Sequence, residues 1–171
     1  MADHSFFLKR SKCSFAATSV AYLSHVISCQ GVAMDNDKVQ AVLSWPVPKT
    51  VREVRGFLGL AGYYRRFIKY YGTITAPLTK LLRKEGFRWT PEAAEVFQTL
   101  RTVITTAPVL QRPDFQQPFI VECDASGSGF GAVLHQGSGT VAFFSRPIVP
   151  RHAKVAAYER ELVGLVQAIR H

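Results

Sequence analysis

The sequence predicts an α+β chain in three segments: a β-hairpin, a small basic helical middle, and a three-stranded sheet followed by one helix. Three observations carry this. Apolar residues change from strand-like runs to helical spacing after Asp35, and return to strand-like runs near Phe119. Proline clusters at Trp45-Pro46-Val47-Pro48 and between Pro108 and Pro113 mark the joints. The surplus positive charge sits almost wholly between those joints. The segments are residues 1–45, 46–108 and 118–171, with a connector at 109–117.

In residues 1–45, apolar Phe6-Phe7-Leu8 precedes basic Lys9-Arg10-Ser11-Lys12. The run from Val20 to Ile27 is rich in strand formers, Gln30-Gly31 supplies a turn, and Val32-Ala33-Met34 reads as a short return strand. Asp35-Asn36-Asp37 opens a helix with Val39, Val42 and Leu43 on one face.

In residues 46–108, Thr50 is an N-cap candidate. Val51, Val54, Phe57, Leu58, Ala61, Tyr64, Phe67 and Ile68 follow at intervals that fit a helix. Gly56, Gly59 and Gly62 each cost about 1 kcal/mol of helix propensity relative to Ala. Either the helix breaks near Gly59–Gly62, the favoured reading, or a neighbouring backbone packs closely there. A short helix around Ala76–Leu82 comes next. Thr90-Pro91-Glu92 then supplies a capping hydroxyl, a first-turn proline and an early acid ahead of Ala93, Val96, Phe97, Leu100, Val103 and Ile104.

Residues 118–171 read as strands at Phe119–Asp124, Phe130–His135 and Val141–Phe144, turning at Ala125–Gly129 and Gly137-Ser138-Gly139. A helix from Ala157 carries Tyr158, Leu162, Leu165, Val166 and Ile169 on one face. One helix covers only part of such a sheet, so the sequence reads as part of a larger unit.

Composition narrows the classes. The 171 residues are 47% hydrophobic, enough for a core, which excludes global disorder. No apolar run reaches the roughly 18 residues of a membrane helix, and Met1-Ala2-Asp3-His4 lacks a signal-peptide layout. Cys13, Cys29 and Cys123 are too few and too scattered for a disulfide framework or a zinc site, and suit a reducing compartment. An intracellular location, in a cytoplasmic particle or the nucleus and without a membrane partner, is the expectation.

The formal charge is +9, and residues 46–112 hold twelve Lys and Arg against four Glu. Such a field favours a polyanion, most simply nucleic acid; a solvated helical face is the alternative. Asp124 ends a strand and is followed by small residues that leave room for a phosphate with its Mg²⁺; a turn-forming Asp is the alternative. Glu159 and Glu161 border the apolar stripe of the last helix on opposite sides, and periodicity does not choose between them. His25, His135 and His152 have no partner at metal-ligand spacing.

One run is more specific: Arg55-Gly56-Phe57-Leu58-Gly59-Leu60-Ala61-Gly62-Tyr63-Tyr64-Arg65-Arg66-Phe67-Ile68. Around it, in order, lie Lys12-Cys13-Ser14-Phe15, Trp45-Pro46-Val47-Pro48, Pro77-Leu78, Ala107-Pro108-Val109-Leu110, Asp124-Ala125-Ser126, Gly131-Ala132-Val133-Leu134, Phe144-Ser145-Arg146 and Tyr158-Glu159-Arg160-Glu161-Leu162. On these motifs the chain, from about Lys9 to His171, resembles the pol polyprotein of gypsy-type LTR retrotransposons, at the end of reverse transcriptase and the start of ribonuclease H.

The resemblance implies that residues 1–45 are the end of the palm, with a primer-grip-like hairpin. Residues 46–108 would be a helical thumb on the minor-groove side of a template–primer duplex, and residues 118–171 an incomplete ribonuclease H-like sheet with its first helix. It implies nucleic-acid contacts from Arg55, Tyr64, Arg65, Arg66, Lys69, Lys80, Arg83 and Lys84, although the tyrosines of that motif read equally well as core. It places Asp124 and Glu161, not Glu159, on the family's first two carboxylates. These hold Mg²⁺ for two-metal hydrolysis of RNA in RNA–DNA hybrids. The expected partners are such a hybrid or a template–primer duplex, and the remainder of the polyprotein.

The departures matter. No Tyr-x-Asp-Asp is present, and the later nuclease carboxylates would follow His171. The chain alone is therefore expected to have neither the polymerase nor the nuclease activity of its parent. Ser24 stands where the family usually has glycine, and Asn36 where it has proline. A non-enzymatic nucleic-acid-binding module and an inactive genomic remnant are the competing readings.

Overall fold

A computed structural model describes residues 7, 9–83, 87–148 and 155–171. Phe6 and Leu8 of the opening apolar stretch, Lys84 of the candidate contacts, and His152 lie outside the described residues. No helix among the described residues is long and apolar enough to cross a membrane. The three cysteines are free.

The first sheet is a three-stranded meander rather than the expected two-stranded hairpin. Strands β1 (Ser19–Tyr22), β2 (His25–Ser28) and β3 (Gly31–Met34) pair antiparallel in chain order. The run expected as one strand folds back at Leu23-Ser24, where φ is 46° and 56°. Two successive left-handed residues make the tight turn that suits strand twist, but Leu and Ser do not advertise it. Ser24→Gly is expected to stabilise the chain by about 0.5–1 kcal/mol, read as a higher urea midpoint. Cys29-Gln30 make the second turn, and at Gly31 (φ 139°), which opens β3, a Cβ would run into the Leu110 carbonyl. Val32 and Leu110 exchange backbone hydrogen bonds of 2.8 Å each, tying the connector to β3.

Local capping chemistry sets the helices. Asp35 caps α1 (Asn36–Leu43) by accepting from the Asp37 N–H at 2.9 Å. Thr50 caps α2 (Val51–Tyr63), accepting from the Glu53 N–H at 3.2 Å, while the Glu53 carboxylate accepts from the Lys49 N–H at 2.7 Å. The expected break at Gly59–Gly62 is absent, and α2 runs unbroken to Tyr63. Side chains rather than backbone approach two of its glycines: a Cβ would lie 3.3 Å from the Trp45 ring at Gly56, and 3.3 Å from the Tyr71 hydroxyl at Gly62.

A 3₁₀ turn at Arg65–Phe67 leads to α3 (Tyr71–Ile74), which spacing did not reveal, and α4 (Ala76–Lys80). Helix α5 (Pro91–Thr105) is capped by Thr90, which accepts from the Ala93 N–H at 3.1 Å. Val54, Phe57, Ala61, Tyr64, Phe67, Leu78, Phe97 and Leu100 form one buried core. The Phe57 and Phe97 rings lie 4.6 Å apart at its centre.

The second sheet orders β4 (Ile120–Ala125), β5 (Gly129–Gln136) and β6 (Gly139–Pro147) antiparallel. Gly72 N–H donates to Ser145 Oγ at 2.7 Å, and Gln111 N–H to the Thr140 carbonyl at 2.7 Å, so the sheet is fastened to the helical segment and to the connector. Helix α6 (Ala157–Ile169) packs on β4 and β5. It approaches through Gly164, where a Cβ would lie 2.9 Å from the Phe130 ring. The expected apolar stripe therefore points outward, with Tyr158 71%, Leu162 60% and Ile169 67% exposed. Leu162→Glu is expected to change the stability of this chain by less than about 0.5 kcal/mol, measured by urea denaturation.

Candidate functional site

Helix α2 buries Val54, Phe57 and Ala61 and turns its other side outward. Arg52, Arg55, Gly59 and Tyr63 recur there at intervals of three and four, and all four are exposed. Among the described residues nothing lies within 4 Å of where a Gly59 Cβ would stand. Arg65, Arg66 and Lys69 are exposed after α2, as are Lys80 and Arg83 around the end of α4. Among the described residues the one close cation–carboxylate candidate is His135 with Glu122 at 3.4 Å, and no Lys or Arg is paired with a carboxylate.

Tyr64 departs from the expected contact set. It is fully buried, and its hydroxyl donates to the Ser24 carbonyl at 2.7 Å. Burial pushes its phenol up to about 12, with Asp35 and Tyr63 adding to the effect. A ring enclosed in the core cannot stack on a bound strand, so its part is structural. Tyr63 is half exposed, and its hydroxyl donates to the Leu23 carbonyl at 2.6 Å. The paired tyrosines thus hold the left-handed turn between β1 and β2. His25 completes the cluster, its ring centroid 5.4 Å from Tyr63 and 5.7 Å from both Tyr64 and Phe67.

Asp124 lies on β4 opposite Gly131 of β5, with an exposed side chain. The turn that follows is organised by Ser126, whose Oγ accepts from the Ser128 and Gly129 N–H groups at 3.2 Å each. Asp124 is not the turn-former. Among the described residues its carboxylate has one partner, the Tyr70 hydroxyl, which donates to Oδ2 at 3.3 Å.

The two helix glutamates separate. Glu159 accepts from the Ala156 N–H at 3.0 Å and so closes the first turn of α6. Glu161 is exposed and has no hydrogen-bond partner among the described residues; it sits three residues before Gly164, the contact of α6 with β5. Asp124 and Glu161 thus lie on elements that pack directly, β4 and α6. Asp124 keeps Oδ1 free of partners among the described residues, as Glu161 does both its oxygens, and carboxylate oxygens are the donors that a hard cation such as Mg²⁺ takes. Among the described residues no group of three or more His, Cys, Asp or Glu gathers. Burial pushes the Cys123 thiol up.

Sequence reasoning read Gly59 as part of a helix break rather than of an outward face, and did not single out Tyr70. For Gly59 the signal was present, a helix-interior glycine with no inward role. For Tyr70 there was none, since its partner stands 54 residues away.

Residues 89–171 match the RNase H-like domain found in reverse transcriptase. An uncharacterized mitochondrial protein of Arabidopsis thaliana is 50% identical over 120 residues, which is 69% of this chain and 76% of that protein. The retrovirus-related Pol polyprotein from transposon gypsy of Drosophila melanogaster is 35% identical over 182 residues; 99% of this chain is covered, and the chain spans 18% of that polyprotein. In fold, the chain is similar to the foamy viral protease-reverse transcriptase solved in complex with an RNA/DNA hybrid. The TM-score is 0.85 at 21% identity, covering 93% of this chain and 22% of that one.

Proposed function

We propose that this chain is part of a retrovirus-related Pol polyprotein of the gypsy type, that it grips a nucleic-acid duplex, and that it contributes two carboxylates to an RNA-cleaving centre. The parent polyprotein would copy RNA into DNA and hydrolyse the RNA strand of the hybrid. On this reading the residues present would supply the grip and two of the nuclease carboxylates.

The observation that carries the reading is the outward face of α2. A glycine inside a helix costs about 1 kcal/mol relative to Ala, yet among the described residues nothing lies within 4 Å of where a Gly59 Cβ would stand. The bare backbone between Arg55 and Tyr63 lets a duplex approach closely, while Arg52, Arg55, Arg65, Arg66, Lys69, Lys80 and Arg83 offer charge to its phosphates. Such contacts set affinity and register without reading sequence. A foamy viral relative in fold, solved with an RNA/DNA hybrid, supports the choice of ligand.

Asp124 and Glu161 are the residues that would hold Mg²⁺. When bound, the ion supplies an activated water and stabilises charge on the leaving oxygen. The chain's own part is to present the two carboxylates from a strand and a helix that pack together, beside a cationic arm that keeps the hybrid in place. The pure chain is expected to show no turnover on a labelled RNA–DNA hybrid; robust Mg²⁺-dependent cleavage by it would contradict this division of parts.

Binding tests the grip. If about five cations meet phosphates, log affinity for a hybrid falls with log salt at a slope of roughly −4. Gly59→Leu should weaken binding about 10-fold, or about 1.4 kcal/mol, without lowering the melting temperature. A flat salt response, or unchanged binding in Gly59→Leu, would reject α2 as the duplex face.

A further inference from the structure

We propose that Tyr70 is a positioning residue for Asp124, through which the helical segment fixes the rotamer of the carboxylate that would hold the divalent ion. The proposal rests on the reading of Asp124 as a metal ligand. Its own basis is a contact between two segments that share no sequence motif.

The Tyr70 backbone is left-handed, with φ 58° and ψ 24°. A bulky aromatic residue is an unfavourable occupant of that region, at about 1 kcal/mol or more. Local structure holds it there. Its carbonyl accepts from the N–H groups of Thr73 and Ile74 at 3.0 Å each, and the next turn is pinned by Gly72 N–H on Ser145 Oγ at 2.7 Å.

This conformation lays the ring over Gly131. A Cβ at position 131 would sit 2.5 Å from Tyr70 Cε1 and 2.7 Å from Cδ1, so only a glycine admits the ring. Gly131 is the cross-strand partner of Asp124, which puts the Tyr70 hydroxyl within 3.3 Å of Asp124 Oδ2. The Lys69 ammonium lies 5.1 Å from the same ring. Ring, slot and strained backbone together aim one donor at one carboxylate oxygen.

The chemistry follows from the inventory of lone pairs. A carboxylate has two oxygens and about four acceptor directions. A phenol on Oδ2 leaves Oδ1 open to a cation while limiting rotation of an otherwise solvent-facing side chain. Partners of this kind orient ligands, and their loss typically costs about 10-fold or more in metal affinity. Packing alone would need the ring and not the hydroxyl, which makes the two roles separable.

The test uses the full chain, ¹⁵N-labelled, with Mn²⁺ as probe and paramagnetic broadening of amide signals around Asp124 as readout. Asp124→Asn should abolish the broadening, and Tyr70→Phe, which keeps the ring, should raise the apparent Kd for Mn²⁺ about 10-fold with the metal-free amide spectrum unchanged away from the site. An unchanged Kd in Tyr70→Phe, with loss in Asp124→Asn, overturns the positioning role and leaves Asp124 as a ligand. A Kd change accompanied by spectral changes across both sheets also overturns it, in favour of packing. Undiminished broadening in Asp124→Asn removes the metal reading itself, and the proposal with it.

Discussion

Tyr64→Ala is expected to destabilise the chain by about 3–5 kcal/mol, measured by urea denaturation, and to abolish folding if the chain has no more stability than that. Tyr64 is among the largest fully buried side chains, in a core that includes Phe57, Phe67 and Leu78. Its hydroxyl reaches across to the β1–β2 turn at Ser24. Removing the ring opens a cavity and releases that turn in one step. Tyr64→Phe keeps the ring and should cost about 1 kcal/mol, because the Ser24 carbonyl retains the Asp35 N–H at 3.3 Å.

The same residue gives a pH dependence. Burial raises the Tyr64 phenol to about 12, from about 10 in the unfolded chain. The stability owed to keeping it neutral is therefore complete below pH 10 and is lost as pH rises from 10 to 12. Tyr71, partly buried and raised to about 12 by desolvation, behaves likewise. Tyr64→Phe should lose less stability than the unaltered chain between pH 9 and 12, and an identical alkaline loss would show that the phenol is not in a desolvated site.

In a polypeptide extended to carry the later ribonuclease H carboxylates, Asp124→Asn is expected to lower RNA cleavage in a hybrid by about 1,000-fold or more, or about 4 kcal/mol of barrier. Hybrid affinity should change little, since the proposed grip lies on α2 and the turns after it. Glu161→Gln should behave the same way, and Glu159→Gln should not, because Glu159 is occupied with the first turn of α6. Cleavage retained in Asp124→Asn would exclude it as an ion ligand.

Features set by neighbours in sequence were legible. Asp35, Thr50 and Thr90 each cap the helix they were expected to open, because a cap is settled within three residues. Features set from a distance were not. The turn at Leu23-Ser24 is held by hydroxyls 40 residues further on. The three glycines of α2 argued for a break, yet two accommodate aromatic side chains and the third faces outward. Apolar spacing in α6 correctly marked one face, but spacing says what a face is made of and not what it meets. At the candidate site, Asp124 and Glu161 came from a motif, whereas the Tyr70 contact exists only once the chain has folded.

Asp124 and Glu161 are proposed to share one divalent ion. A double-mutant cycle in Mn²⁺ affinity tests it most directly, with Asp124→Asn, Glu161→Gln and the double variant measured on the full chain by paramagnetic broadening. Shared ligation predicts that each single change costs at least about 10-fold and that the double costs barely more than either. Losses that simply multiply, or a single variant that binds as before, would mean that the two carboxylates serve separate sites.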